Sequence, residues 1–261
     1  MWLSLPVLLL CFILLWLVSL RLRDASIVDP FWGIAFVIAA GVYFATSDGW
    51  LPRRVLVLVL VGLWGVRLAW HLARRNLGHG EDARYRRWRE QHGDTWWWRS
   101  LWQVFILQAV IAWVVSWPLA AAQSDQGGAG WTMWDAAGAL VVVTGLAFEA
   151  VADAQLRRFK ADPASRGQVL DTGLWRYSRH PNYFGDALVW WGLFLLAAGV
   201  PGGWMTIVSP ILMTWLLRRV SGVPLLEATL AASRPGYAGY VQRTSAFVPW
   251  PPRRRAGTDV G

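Results

Sequence analysis

Arg176-Tyr-Ser-Arg-His-Pro-Asn-Tyr-Phe-Gly-Asp186 concentrates two arginines, a histidine, an asparagine, two tyrosines and an aspartate directly before an apolar run, residues 187–200. Ionisable groups within or beside membrane helices are costly and are functional candidates by default. Others recur at comparable depth. Asp29 opens an apolar run. Arg67, His71 and Arg74 follow at i, i+4 and i+7, on one helix face. Glu149 and Asp153 are an i, i+4 pair, Asn182, Tyr183 and Asp186 begin another run, and Arg218 and Arg219 close the last. Snorkelling accounts for arginines, but not for Asp29, Glu149, Asp153 and Asp186. A solvated cavity holding a polar ligand accounts for both signs of charge. Carboxylates accept from ribose hydroxyls or an amide, and guanidinium groups fork onto phosphates. His180-Pro181-Asn182 reads as a helix start, whose free N–H groups suit an anion; the simpler reading of Asn182 is an N-cap.

Several chemistries are excluded. No G-x-G-x-x-G follows a strand and there is no P-loop, so a nucleotide must be held by a helical bundle. The histidines at 71, 79, 92 and 180 form neither H-x-x-x-H nor H-E-x-x-H, so no zinc site is expected. Ser178 lies near His180 but outside any G-x-S-x-G elbow. Cys11 is the single cysteine, which rules out an intramolecular disulfide.

The elements that position these groups are membrane helices. Of 261 residues, 56% are hydrophobic and 16% charged, with a mean hydropathy of +0.35; soluble domains carry about 25% charged residues. The net charge of +9 lies between apolar runs, as membrane topology requires, and does not point to nucleic acid. Seven runs approach the ~20 residues a bilayer demands: about 2–20, 28–46, 55–73, 101–122, 131–151, 183–199 and 203–218. The reading is all-α, a polytopic membrane protein with seven transmembrane helices forming one domain over 1–252, and a basic, frayed tail at 253–261. Arginine is abundant in 74–100, 152–182 and the tail, which predicts an outside N-terminus and a cytoplasmic C-terminus. A re-entrant 203–218 is the competing topology. Most of the 21 tryptophans suit an interfacial belt.

Longer stretches carry a resemblance. Phe148-Glu-Ala-Val-Ala-Asp153, Gln155-Leu-Arg-Arg-Phe-Lys160, Gly173–Gly185, Val220-Ser-Gly-Val-Pro-Leu-Leu-Glu227, Arg234-Pro-Gly-Tyr-Ala-Gly-Tyr240 and Arg243–Trp250 are similar to the steroid 5-alpha-reductase-like membrane enzymes, in their bacterial branch. Val28-Asp-Pro-Phe-Trp32 and Arg75–Tyr85 extend the likeness to the N-terminal half. The RHPNYFG block also resembles one in sterol C14 and C24 reductases and, more loosely, one in isoprenylcysteine methyltransferases.

The resemblance implies a seven-helix enzyme that binds NADPH from the cytoplasm and reduces the 4,5 double bond of a 3-oxo-4-ene steroid or similar apolar enone. It places Asp153, Lys160, Tyr177, Asn182, Asp186, Arg218 or Arg219, Tyr240 and Arg243 at the cofactor, with the tail closing over it. Lys160 stands where animal enzymes have Arg, and Asp186 where they have Glu. Arg157, Arg179, His180, Tyr183 and Glu227 complete the expected cofactor set. The Gln-Glu pair of the animal enzymes is missing. Asp29 is the candidate acid, and Arg67, His71 or a tyrosine the candidate donor to the carbonyl oxygen. Trp32, Trp64 and Glu149 are expected in the substrate pocket, with Trp190 and Trp191 as further candidates. Bilayer lipid and an apolar substrate are the expected partners, with no obligate protein partner. The alternatives are an S-adenosylmethionine-dependent methyltransferase of the isoprenylcysteine type and a non-enzymatic lipid transporter or scaffold.

Overall fold

The structure is a computed structural model that describes residues 2–253 apart from Leu77, His79 and the segments 126–129, 221–226 and 228–233. The end of the basic tail, 254–261, and most of the Val220–Glu227 stretch lie outside the described residues. The described residues are helical, with no strand and one isolated bridge, Ser178 to Ser245. Five helical runs are long and apolar enough to cross a membrane: Ser4–Leu22, Ala25–Thr46, Leu51–Asn76, Ala83–Ser124 and Met133–Ala161. The chain is therefore an all-helical integral membrane protein.

Helices α1 (Ser4–Leu22), α2 (Val28–Thr46) and α3 (Leu51–Asn76) match the first three apolar runs. The segment 74–100, expected as a loop, is largely helical. It holds α4 (Ala83–His92) and α5 (Trp96–Ser100), which continue through a π-helical stretch, Leu101–Ile106, into α6 (Leu107–Val115) and α7 (Trp117–Ser124). The Asp82 carboxylate caps α4 by accepting from Arg84 N–H at 2.9 Å. Helix α8 (Met133–Ala161) runs ten residues past the fifth apolar run, because Asp153, Arg157 and Lys160 keep helical spacing. The sixth run forms α9 (Pro181–Ala198), which opens on polar residues. The last run is divided into a 3-10 turn at Gly203–Ile207, α10 (Val208–Trp215) and a π-helical end at Leu216–Val220. Helix α11 (Tyr237–Arg243) follows.

The chain divides into two compact units, residues 1–137 with 193–209, and residues 138–192 with 210–261. In the first unit, α2 and α3 meet at a glycine pair. A Cβ on Gly33 would lie 2.3 Å from the Gly65 carbonyl oxygen, and one on Gly65 would lie 2.5 Å from that of Gly33. Small residues of this kind let membrane helices approach closely enough for backbone packing to hold them. Ser4, Tyr43 and Ser116 form a buried hydroxyl chain with links of 2.6 and 2.9 Å. Just past the α2–α3 turn lies a buried clasp: Arg53 meets Asp135 at 2.7 and 3.0 Å and Asp125 at 2.7 Å. Asp135 also accepts from the N–H and hydroxyl of Thr132, capping α8.

In the second unit, α8 and α9 pack through glycines spaced seven apart. Gly192 lies against Gly138, and Gly185 against Gly145. Seven residues return to nearly the same helix face, so the contact is repeated two turns further on. Residues 245–253 return across the Arg176–Asp186 block. The Arg179 N–H donates to the Ser245 carbonyl at 2.8 Å, the Ser178 hydroxyl to the Phe247 carbonyl at 2.7 Å, and the Trp250 N–H to the Tyr177 carbonyl at 3.0 Å. This strap supplies partners for backbone groups that no helix satisfies.

Candidate functional site

Polar groups gather separately in each unit. In the first, the carboxylate of Asp29 in the first turn of α2 accepts from the Tyr85 hydroxyl at 2.7 Å and from Arg84 at 2.7 Å. The two residues of α4 lie on its inward face, and Tyr85 is almost fully buried. A second anchor fixes the same helix. Glu81 accepts from the Ala25 N–H at 2.9 Å and takes both arms of Arg89 at 2.8 and 2.9 Å. Burial works against the Glu81 charge, but these donors prevail and hold its carboxyl below the usual range. The result is a tyrosine hydroxyl positioned by a carboxylate that is itself held by an arginine. Such a group can donate to an oxygen on which negative charge develops.

The sequence offered Arg67 and His71 for that donor role. They stand one turn apart on α3, both half-buried. Tyr85 was visible only as the last residue of the Arg75–Tyr85 likeness. Its pairing with Asp29 spans 56 positions and leaves no local signal. Trp64 is fully buried, with Phe36 edge-on to it at 5.6 Å and Trp32 edge-on to Phe36 at 5.3 Å. These two pocket candidates therefore belong to one aromatic ladder in the first unit. Trp190 and Trp191 belong to the second, where the Trp191 indole donates to the Thr214 hydroxyl at 3.2 Å.

In the second unit, Glu149 and Asp153 are both buried on α8. The Asn182 amide, in the first turn of α9, donates to Asp153 at 3.2 Å, and the Asn182 carbonyl oxygen accepts from the Tyr183 N–H at 3.1 Å. Asn182 thus ties the two helices together as well as serving the helix start. The Glu149 side chain lies over Gly185, where a Cβ would come within 2.9 Å of it. Asp186 is half-buried on the following turn of α9. His180 stacks on Tyr183 with ring centres 5.6 Å apart, and its Nε2 lies 3.1 Å from Glu227. Arg179 pairs with the same carboxylate at 2.9 Å. Burial lowers the imidazole pKa, and the Arg179 charge adds to this; Glu227 acts in the opposite sense without reversing it.

Other expected cofactor residues serve the scaffold. Tyr240 is buried, and its hydroxyl donates to the Trp175 carbonyl at 2.6 Å. Arg243 pairs with Asp171 at 2.5 Å. The Arg218 guanidinium covers the Phe247 ring at 5.5 Å. Arg157, Lys160, Tyr177 and Arg219 are exposed. Two clefts of about 330 and 340 Å³ adjoin this region and share Arg243 and Thr244. Arg179 and Arg253 line one, and Arg176 the other. Arginines lining small clefts suit a ligand that carries phosphates.

Residues 15–244 match the family described as "Protein of unknown function (DUF1295)". The chain belongs to that family. A Schizosaccharomyces pombe protein described as uncharacterized is 26% identical over 279 residues, spanning 93% of this chain and 78% of the yeast protein. No solved structure matches the chain.

Proposed function

We propose that this member of the DUF1295 family is an NADPH-dependent membrane reductase acting on an apolar enone of the 3-oxo-4-ene steroid type. The carrying observation lies in the second unit, where the pairs Asp153–Asn182 and His180–Glu227 meet the start of α9 and Arg179, next in the chain to His180, lines a cleft. That donor set fits a dinucleotide phosphate. Asp153 and Asn182 suit hydroxyl and amide groups, and Arg176 and Arg179 suit phosphates. The likeness of the Gly173–Gly185 block to the steroid 5-alpha-reductase-like enzymes agrees with it.

When bound, NADPH supplies the hydride for the beta carbon of the enone. The chain's own residues then account for charge and proton. The Tyr85 hydroxyl exchanges its Asp29 acceptor for the substrate carbonyl oxygen and stabilises the enolate as it forms. Arg84 pairs with Asp29, and Asp29 holds the phenol in place. Asp29 protonates the alpha carbon with a proton that it takes up from water and recovers from water after turnover. The proposal includes seven spans, an outside N-terminus, a cytoplasmic C-terminus and residence in a bacterial inner membrane with the site open to the cytoplasm. The arginine-rich inner segments support it.

Thermal unfolding of the purified protein with NADPH, NADH and S-adenosylmethionine tests the reading, because a ligand that binds the native state raises its stability by mass action. NADPH should stabilise most. Stabilisation by S-adenosylmethionine alone would replace the reductase with a methyltransferase. Asn182→Ala should remain folded, with a somewhat lower midpoint because the Asp153 tie is lost, and should lose the response to NADPH.

A further inference from the structure

The helical run Ala83–Ser124 contains 42 residues. At ~1.5 Å per residue it is about twice as long as a ~30 Å hydrocarbon core requires. Its beginning, α4 and α5, carries five arginines within 18 residues, Ala83–Ser100, and belongs at the membrane surface. We propose that α4 and α5 form a shelf that binds the headgroups of anionic phospholipids.

The inward and outward sides of the shelf differ. Arg84 and Arg89 turn in to the carboxylates of Asp29, Asp82 and Glu81. Arg86, Arg87 and Arg99 are exposed and form no ion pair among the described residues. Arg86 donates to the Glu81 carbonyl, Arg87 to the Ala83 carbonyl, and Arg99 lies over the Trp98 ring at 5.1 Å. Trp97, Trp98 and Trp102 are also exposed, beside a buried aromatic set in which His92 stacks on Trp96. The shelf is rigidly placed. Besides the Asp29 and Glu81 anchors, the Trp16 indole of α1 donates to the Trp97 carbonyl at 2.9 Å.

The chemistry selects the occupant. Indoles settle at headgroup depth, and a guanidinium group matches a phosphate with two parallel hydrogen bonds. Exposed Arg21 and Arg23 at the end of α1, and Arg74 and Arg75 at the end of α3, add positive charge at the same end of this unit; the exposed acids there are Glu90 and Asp94. The positive surplus attracts lipids with net negative charge and not zwitterionic ones. The surface is built from first-unit residues and uses none of those assigned to the cofactor, so it stands independently of the reductase reading.

The test compares the thermal midpoint of the full-length protein in detergent micelles doped with phosphatidylglycerol or phosphatidylcholine. Phosphatidylglycerol should raise the midpoint several degrees more. The R86Q/R87Q/R99Q variant should lose at least half of that difference while responding normally to phosphatidylcholine. A variant that keeps the full difference overturns the proposal. Should the variant fail to fold, the wild type in rising salt decides. The preference must fade by about 0.5 M salt, where the screening length is roughly 4 Å; a salt-independent preference, or none at low salt, refutes it. Inorganic phosphate at the same concentration should not reproduce the effect, and equal stabilisation by it rejects a lipid site.

Discussion

Tyr85 and Asp29 are the residues on which the chemistry of the first unit turns. Tyr85→Phe keeps the ring and removes the hydroxyl that reaches Asp29. Turnover should fall about 10²–10³-fold, the usual loss for one oxyanion donor, with thermal stabilisation by NADPH intact. Full turnover in Tyr85→Phe would return the role to Arg67 or His71. His180 gives a pH signature. Its folded pKa lies below the ordinary value of 6.5, so below that pH the unfolded chain binds more protons than the folded one. Stability should therefore decrease as pH falls through 6.5 and level off once the folded imidazole protonates. In His180→Gln that part of the slope should vanish from denaturation midpoints measured across pH 5–8. Asp29, Asp153, Asn182 and His180 could be singled out in the sequence because each is polar beside an apolar run. Their partners could not. Asp29–Tyr85 and Asp153–Asn182 join positions 56 and 29 apart, and tertiary folding alone creates such pairs. Tyr240 and Arg243 show the converse. Their types suit a nucleotide, but their polar ends engage the Trp175 carbonyl and Asp171.

At the scale of elements, glycine decides how the helices meet. The sequence shows Gly33 and Gly65, and Gly145, Gly185 and Gly192, inside apolar runs, where each weakens a helix relative to alanine. Their use appears only when the neighbour is known. A leucine at Gly145 would drive Cβ to 2.6 Å from the Gly185 carbonyl oxygen and force α8 away from α9. Gly145→Leu should lower stability by at least 1–3 kcal/mol, measured by thermal or denaturant unfolding in detergent. Gly41, also mid-helix, has nothing within 4 Å of where a Cβ would lie. Gly41→Ala should be neutral or slightly stabilising, separating the contact from the general effect of removing glycine. Helix ends were the least legible feature. Helix α8 outruns its apolar run to Ala161, and α4 forms where a loop was expected, because capping by Asp82 and inward pairing of Arg84 and Arg89 stabilise turns that hydropathy alone would not mark.

For the whole molecule, hydropathy identified the five long spans because a bilayer leaves backbone groups no partner except within a helix. It marked the last two runs less clearly, since α9 begins with polar site residues and α10 is only eight residues long. The proposed seven-span topology has a direct check. A fluorescent protein fused after Gly261 should fluoresce, and alkaline phosphatase fused there should remain inactive, because the former matures in the bacterial cytoplasm and the latter only after export. The reverse pattern would invert the chain in the membrane. The Arg53 clasp sets a further constraint, on the order of assembly. Arg53 emerges during synthesis 82 residues ahead of Asp135, a delay of roughly 4–16 s at ~5–20 residues per second. Until then α3 carries a cation whose carboxylates have not been made, and removing one partner of a buried pair typically costs about 3–5 kcal/mol. The α1–α3 hairpins must therefore wait in a wetter, looser state, with Arg53 still hydrated. Nascent chains arrested before Asp125 should be sensitive to protease at the α2–α3 turn, and that sensitivity should disappear once Asp135 is in place.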